Sequence, residues 1–212
     1  MKKLTILLFV VFVVPSFSLS LSQVREALGE SAIPQDSVEM DIRVSVKAAG
    51  VFQQMEIYMA SKGAGKSYTE IKSGFLSQRS IVNGGKMKIV DLKTNKFQIV
   101  DYNGEALKAF SLANVNPLDS GKWEAPILLS GDIYTIKGTA GTLFYNHKRK
   151  RIEKIEAAKD GTNSLITFSY DALGGIKKME TLVTVGESET VVTTEILRMR
   201  KSDNIPDSLF EF

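Results

Sequence analysis

The chain has 212 residues, 43% of them hydrophobic and 24% charged, with a formal charge of +3 and no cysteine. That composition excludes disulfides, thiolate nucleophiles and cysteine metal sites. Lys2 and Lys3 belong to a leader-like N-terminus, so the remainder is close to neutral and lacks the concentrated basic footprint of a nucleic-acid binder.

The chain opens "MKKLTILLFVVFVVPSFSLSLSQ". A basic start, an apolar run from Leu4 to Val14, the break at Pro15 and small residues at every second position thereafter predict a secretory signal peptide over residues 1–22. Small-x-small cleavage sites fall after Ser18, Ser20 and Ser22. The apolar run is short of the roughly 20 residues a spanning helix needs. No cysteine follows for lipid attachment, so the mature chain is expected to be a soluble periplasmic protein without that anchor. About 190 residues then remain, enough for one domain over 23–212.

Leu21, Val24 and Leu28 predict a short amphipathic helix that Gly29 ends. From Val38 the pattern changes to strict alternation. Val38, Met40, Ile42, Val44 and Val46 share one face, while Glu39, Asp41, Arg43, Ser45 and Lys47 share the other. Met55, Ile57 and Met59 continue the dry face in a second strand.

The next stretch, "ASKGAGKS" (60–67), approaches the loop that cradles nucleotide phosphates, with Ala60 in place of the first glycine. Tyr68, Ile71, Phe75 and Leu76 even follow at roughly helical spacing. Such a loop needs a parallel strand and a crossover helix around it. Hairpin grammar surrounds this one instead, so it reads as a turn with no nucleotide bound. "SIVNGGKMKIVDL" is a pair of strands joined by a tight Asn-Gly-Gly turn.

Residues 103–131 lack alternation: Ala106, Leu107 and Phe110 suit a helical turn, as do Ile127, Leu128 and Leu129 after Pro126. Trp123 lies in this segment, which therefore predicts helical cover. "DIYTIKG", "TLFYN", "IEKIEAA", "LITFSYD", "IKKMETLVTV" and "TVVTTEILRMR" follow as strands, with "HKRKR" (147–151) as a solvated hairpin tip. About ten short strands at such spacing indicate an antiparallel sandwich or barrel.

Chemistry is sparse. His147 is the single histidine and falls in the basic tip, which argues against a catalytic triad or a histidine metal site. Glu39, Asp41, Glu56 and Glu153 occupy wet positions of strands and read as solvated surface. No enzyme, metal or cofactor is expected. Methionine is the more informative residue: Met40, Met55, Met59, Met179 and Met199 lie within strands and Met87 adjoins one. Flexible thioethers suit an apolar surface that accommodates variable guests, although plain core packing would use them as well.

A helix, two alternating strands, the turn "NGGKMKIVDLKTNK" (83–96), Pro126-Ile127-Leu128-Leu129 and the C-terminal "IPDSLFEF" (205–212) come in an order that resembles the LolA family of periplasmic lipoprotein carriers. That family shares its fold with the receptor LolB and the stress sensor RseB. The resemblance implies one strongly curved antiparallel sheet, a half β-barrel, with a helical lid. It implies an acyl cavity lined by Met40, Ile42, Val44, Met55, Ile57, Met59, Ile89, Phe97, Ile99, Phe168 and Met179, and a lid carrying Leu107, Phe110, Trp123, Ile127, Leu128 and Leu129. The implied role is a monomeric carrier of lipoprotein acyl chains or other lipids between an inner-membrane transporter and an outer-membrane receptor. The alternative is a sensing module on the same fold that binds a lipidated or protein partner. The family's Arg-Pro pair after the second strand is missing here: "SKGAGKS" offers Lys62 and Lys66 instead. The chain thus reads as a divergent relative.

Overall fold

A computed structural model describes residues 19–30, 37–63, 65–102, 117–119, 121–202 and 204–212. Helix α1 (Leu21–Glu30) comes first and its start is doubly fixed. Ser20 is the N-cap: its amide donates to Gln23 Oε1 (2.8 Å), and the Gln23 amide donates back to Ser20 Oγ (3.3 Å). This reciprocal capping box satisfies amides the helix cannot pair internally. Leu19, one residue before the cap, and Val24, four after it, are both buried in one cluster and form the accompanying hydrophobic staple. The boundary expected at residue 23 lies within α1.

Among the described residues thirteen strands follow: β1 (Ser37–Ala48), β2 (Val51–Lys62), β3 (Lys66–Ser73), β4 (Ser77–Asn83), β5 (Lys86–Asp91), β6 (Phe97–Asp101), β7 (Ile127–Ser130), β8 (Ile133–Gly138), β9 (Gly141–Asn146), β10 (Arg151–Lys159), β11 (Thr162–Tyr170), β12 (Ile176–Val185) and β13 (Ser188–Lys201). They make one antiparallel sheet in the order β6-β5-β4-β3-β2-β1-β13-β12-β11-β10-β9-β8-β7. Its edges, β6 and β7, do not pair with one another, so the sheet is a half-barrel and not a closed one. Extra residues at Leu197 in β13, Glu153 in β10, Lys177 in β12 and Leu129 in β7 interrupt the register. Such bulges bend a strand and increase its twist.

Two strands exceed the sequence expectation. The helical spacing after "GAGKS" is overruled, because Lys66–Ser73 pairs with both β2 and β4. Ile127, Leu128 and Leu129 form edge strand β7 and not a helical turn. A run of three apolar residues fits either state, and pairing with β8 decides it.

Two cores lie on opposite faces. On the inner face, α1 sits over β8 to β11, where Leu19, Val24, Leu118, Ile136, Leu143, Tyr145 and Ile152 pack together. Arg25 donates to Leu118 O (3.1 Å), which ties a single 3-10 turn (Pro117–Asp119) to the helix. On the outer face, Ala60, Tyr68 and Ile81 are covered by Ile205 and Phe210 of the C-terminal segment, which forms a second 3-10 turn (Asp207–Phe210).

Candidate functional site

Residues directly opposite each other in an antiparallel ladder project to the same side. The register therefore assigns every strand residue to a face. Met199, Met40 and Met59 lie in one row across β13, β1 and β2. Ile196, Ile42, Ile57 and Ile71 form the next row, reaching β3. Beside it run Met179, Thr194, Val44 and Met55, from β12 to β2. Met87 faces Val82, and Val82 faces Ser67, so Met87 joins the same side. All six methionines after Met1 project from this single face.

This is the face that α1 covers at the other end of the sheet. Phe168, opposite Met179, packs against the α1 core and marks where the helix footprint stops. Beyond it lies an apolar trough floored by β12, β13 and β1 to β5. Ile42 and Ile57 are buried along its centre line. Met40, Val44, Met55, Met59, Ile71, Met87, Ile89, Met179, Ile196 and Met199 are half-buried. Ser67, Thr69 and Thr194 are the buried polar residues among them. The trough can offer dispersion contacts and adjustable thioethers, but no row of charges.

Of the expected cavity residues, Met40, Ile42, Val44, Met55, Ile57, Met59, Ile89 and Met179 come together on this face. Phe168 adjoins them under α1. Phe97 and Ile99 do not: they stand opposite Val90 and Lys88 on the outer face, while Gln98 faces Ile89. The resemblance implied them, but edge strand β6 shows its larger apolar residues to solvent.

Among the expected lid residues, Leu107 and Phe110 lie outside the described residues. Ile127, Leu128 and Leu129 are exposed in β7. Trp123 forms an isolated bridge to Gly138 and packs on the α1 core, closing the end of β8. A Cβ on Gly138 would come within 2.3 Å of the indole, so only glycine admits that contact.

The outer face is where the charges organise. Glu39 is buried, contrary to its reading as solvated surface, because Arg200 pairs with it and the Tyr58 ring lies beside it. Arg198 pairs with Asp41 at 2.7 Å. Glu70 receives Tyr68 Oη (2.6 Å) and Arg79 (2.8 Å), with Lys72 at 2.6 Å. Burial pushes the Glu70 carboxyl up, but hydrogen bonds from Lys72, Tyr68 and Arg79 outweigh it and bring it down to about 2. Burial, then the bond to Glu70, pushes the Tyr68 phenol up to about 12.

The lysines of "SKGAGKS" have a structural use. Lys62 and Lys66 both donate to Asp207 Oδ1 (3.2 and 2.8 Å), and Lys62 also donates to Ile205 O. They hold the C-terminal segment over Tyr68 and Ile81, and the loop is a β2–β3 hairpin turn. A shallow depression of about 520 Å³ lies elsewhere, lined by residues including Thr142, Glu156, Asn163, Leu165 and Leu182 at one end of β9 to β12. Most of its lining belongs to the outer face, and it is separate from the methionine trough.

No protein-family model matches the sequence, and no curated protein does. Solved structures do match. A LolA superfamily protein from Nitrosomonas europaea is 16% identical with a TM-score of 0.56, over 92% of this chain and 99% of that one. A DUF1329 family protein from Desulfovibrio piger is 11% identical with a TM-score of 0.55, over 89% and 94%. A domain assigned to outer membrane lipoprotein sorting in Vibrio parahaemolyticus is 9% identical with a TM-score of 0.52, again over 89% and 94%. At such identities the likeness concerns architecture. The chain has the LolA-like fold: an open, single-sheet antiparallel half-barrel with a helix across its inner face.

Proposed function

We propose that the chain is a periplasmic, non-enzymatic binder that carries acyl chains, of lipoproteins or free lipids, along the methionine trough. The observation that supports it most is the placement of all six methionines after Met1 on the one inner face that α1 leaves uncovered. A sealed core favours side chains with few rotamers. A surface for guests of varying length and unsaturation favours thioethers, which adapt at little cost. Each CH₂ removed from water contributes about 0.8 kcal/mol, so even a partly sheltered acyl chain gains enough to be held in an aqueous compartment.

The LolA-like fold and the lipoprotein-sorting description of the Vibrio parahaemolyticus domain are consistent with this reading. Export through a signal peptide removed before Leu19 would place the chain in the periplasm. Native mass spectrometry of the exported protein tests the proposal directly. Added mass that fragments to fatty acyl groups is expected. Protein that is ligand-free as purified and takes up no added fatty acid would refute it.

A further inference from the structure

Alternate hairpins of an antiparallel sheet point to the same end. The turns joining β1 to β2, β3 to β4 and β5 to β6 therefore share one rim, opposite the rim of the "GAGKS" and Asn83-Gly84-Gly85 turns. Each of the three carries a phenylalanine left in solvent: Phe52 is 64% exposed, Phe75 62% and Phe97 62%. Val51, beside Phe52, is exposed as well. Two strand spacings separate successive turns, so the rings stand about 10 Å apart along the rim, as separate tips.

These tips are held firmly. Ser73 and Leu76 exchange backbone and side-chain hydrogen bonds around Phe75. Asp91 Oδ1 accepts from the amides of Lys93 and Thr94 (2.8 and 3.0 Å), fixing the turn before Phe97. Lys93 Nζ donates to Gly74 O (3.1 Å), linking the two turns. Lysines flank each ring: Lys47 is opposite Phe52 in register, Lys93 reaches the Phe75 turn, Lys96 precedes Phe97, and Lys88 Nζ lies 4.8 Å from the Phe97 centroid. The carboxylate in these turns, Asp91, is occupied by amides. The neighbouring β12–β13 turn carries Glu187 and Glu189, so the positive stretch stops there.

We propose that this rim docks on an anionic bilayer surface, with Phe52, Phe75 and Phe97 entering the interfacial layer and the lysines meeting headgroups. Aromatic side chains favour the headgroup level, and a lysine near an anionic leaflet contributes about 1 kcal/mol. A row of separate, rigid apolar tips between cations matches a soft, anionic, laterally fluid partner. A protein partner would call for one continuous, close-packed patch. The proposal does not depend on what occupies the trough.

Co-sedimentation of the chain from Leu19 onward with vesicles of phosphatidylcholine, with and without about 30% phosphatidylglycerol, tests it. Binding to the anionic vesicles is expected, weakened by salt as surface charge is screened. Replacing Phe52, Phe75 and Phe97 together by serine should lower partitioning about a hundredfold while melting and fatty-acid binding stay unchanged. Replacing Lys47, Lys93 and Lys96 by glutamine should remove the preference for anionic lipid. Phe75→Ser alone, in a solvent-exposed turn, should lower partitioning measurably even if the triple variant fails to fold. Equal binding of the Phe75→Ser and unmodified chains, or no binding to either vesicle, would overturn the proposal. Rim-dependent capture of a protein partner without vesicle binding would overturn it too.

Discussion

Val44→Gln separates a ligand trough from a sealed core. Val44 is half-buried on the inner face, with Thr194 and Met55 opposite it in register. Fully burying valine is worth about 1.5 kcal/mol, so the half that is lost costs about 1 kcal/mol. The glutamine amide can turn along the trough to water and avoid the further penalty of an unpaired buried group. For a domain of this size that predicts a fall in melting temperature of about 2–4 °C. Ile136→Gln is the contrast: Ile136 is 0% exposed beneath α1, where no water reaches the amide. Lost burial plus a buried unpaired amide total about 4 kcal/mol, which is expected to cost more than 10 °C or folding itself. A fluorescent fatty-acid titration of folded Val44→Gln should show affinity reduced about tenfold or more, since a polar group then faces the alkyl chain. Two results would refute the reasoning: Val44→Gln unfolding as severely as Ile136→Gln, or binding fatty acid as the unmodified chain does.

Edman sequencing of exported protein should begin at Leu19, because cleavage after Ser20 or Ser22 would remove the buried Leu19 and the Ser20 cap; a folded chain starting at Leu21 or Gln23 would count against this. Lys66→Ala should leave the melting temperature and fatty-acid binding nearly unchanged, since Lys62 still reaches Asp207, and calorimetry with ATP should show no heat of binding in either protein. Glu70→Gln should lower stability at neutral pH by about 2 kcal/mol after allowance for solvent screening. The folded carboxyl titrates near 2, below its ordinary 4.5, so its contribution is complete above pH 4.5 and is lost as pH falls through 2. Urea melts of the two proteins should therefore converge in strong acid, and a constant difference across that range would exclude the mechanism.

Period-2 alternation was enough to locate β1 and its dry residues, because one wetted face forces every second side chain to be polar. The Asn83-Gly84-Gly85 turn was equally legible, since both glycines hold the positive φ that such hairpins need. The amphipathic spacing of Leu21, Val24 and Leu28 marked α1 for the same kind of local reason. Where two states share one local signature, the sequence was silent. Ile127-Leu128-Leu129 became a strand through pairing with β8, and Lys66–Ser73 through pairing with β2 and β4. Face assignment in short strands was likewise decided at long range: Phe97 and Ile99 point outward because Gln98 faces Ile89. Glu39 is buried for want of nothing local; Arg200, far along the chain, supplies its partner. The methionines were visible as residues from the start, but the five strands that carry them come from both halves of the chain, and their common face depends on how those strands are joined. Alternation fixes which residues of one strand lie together, and only the register between strands fixes which of those sets meet.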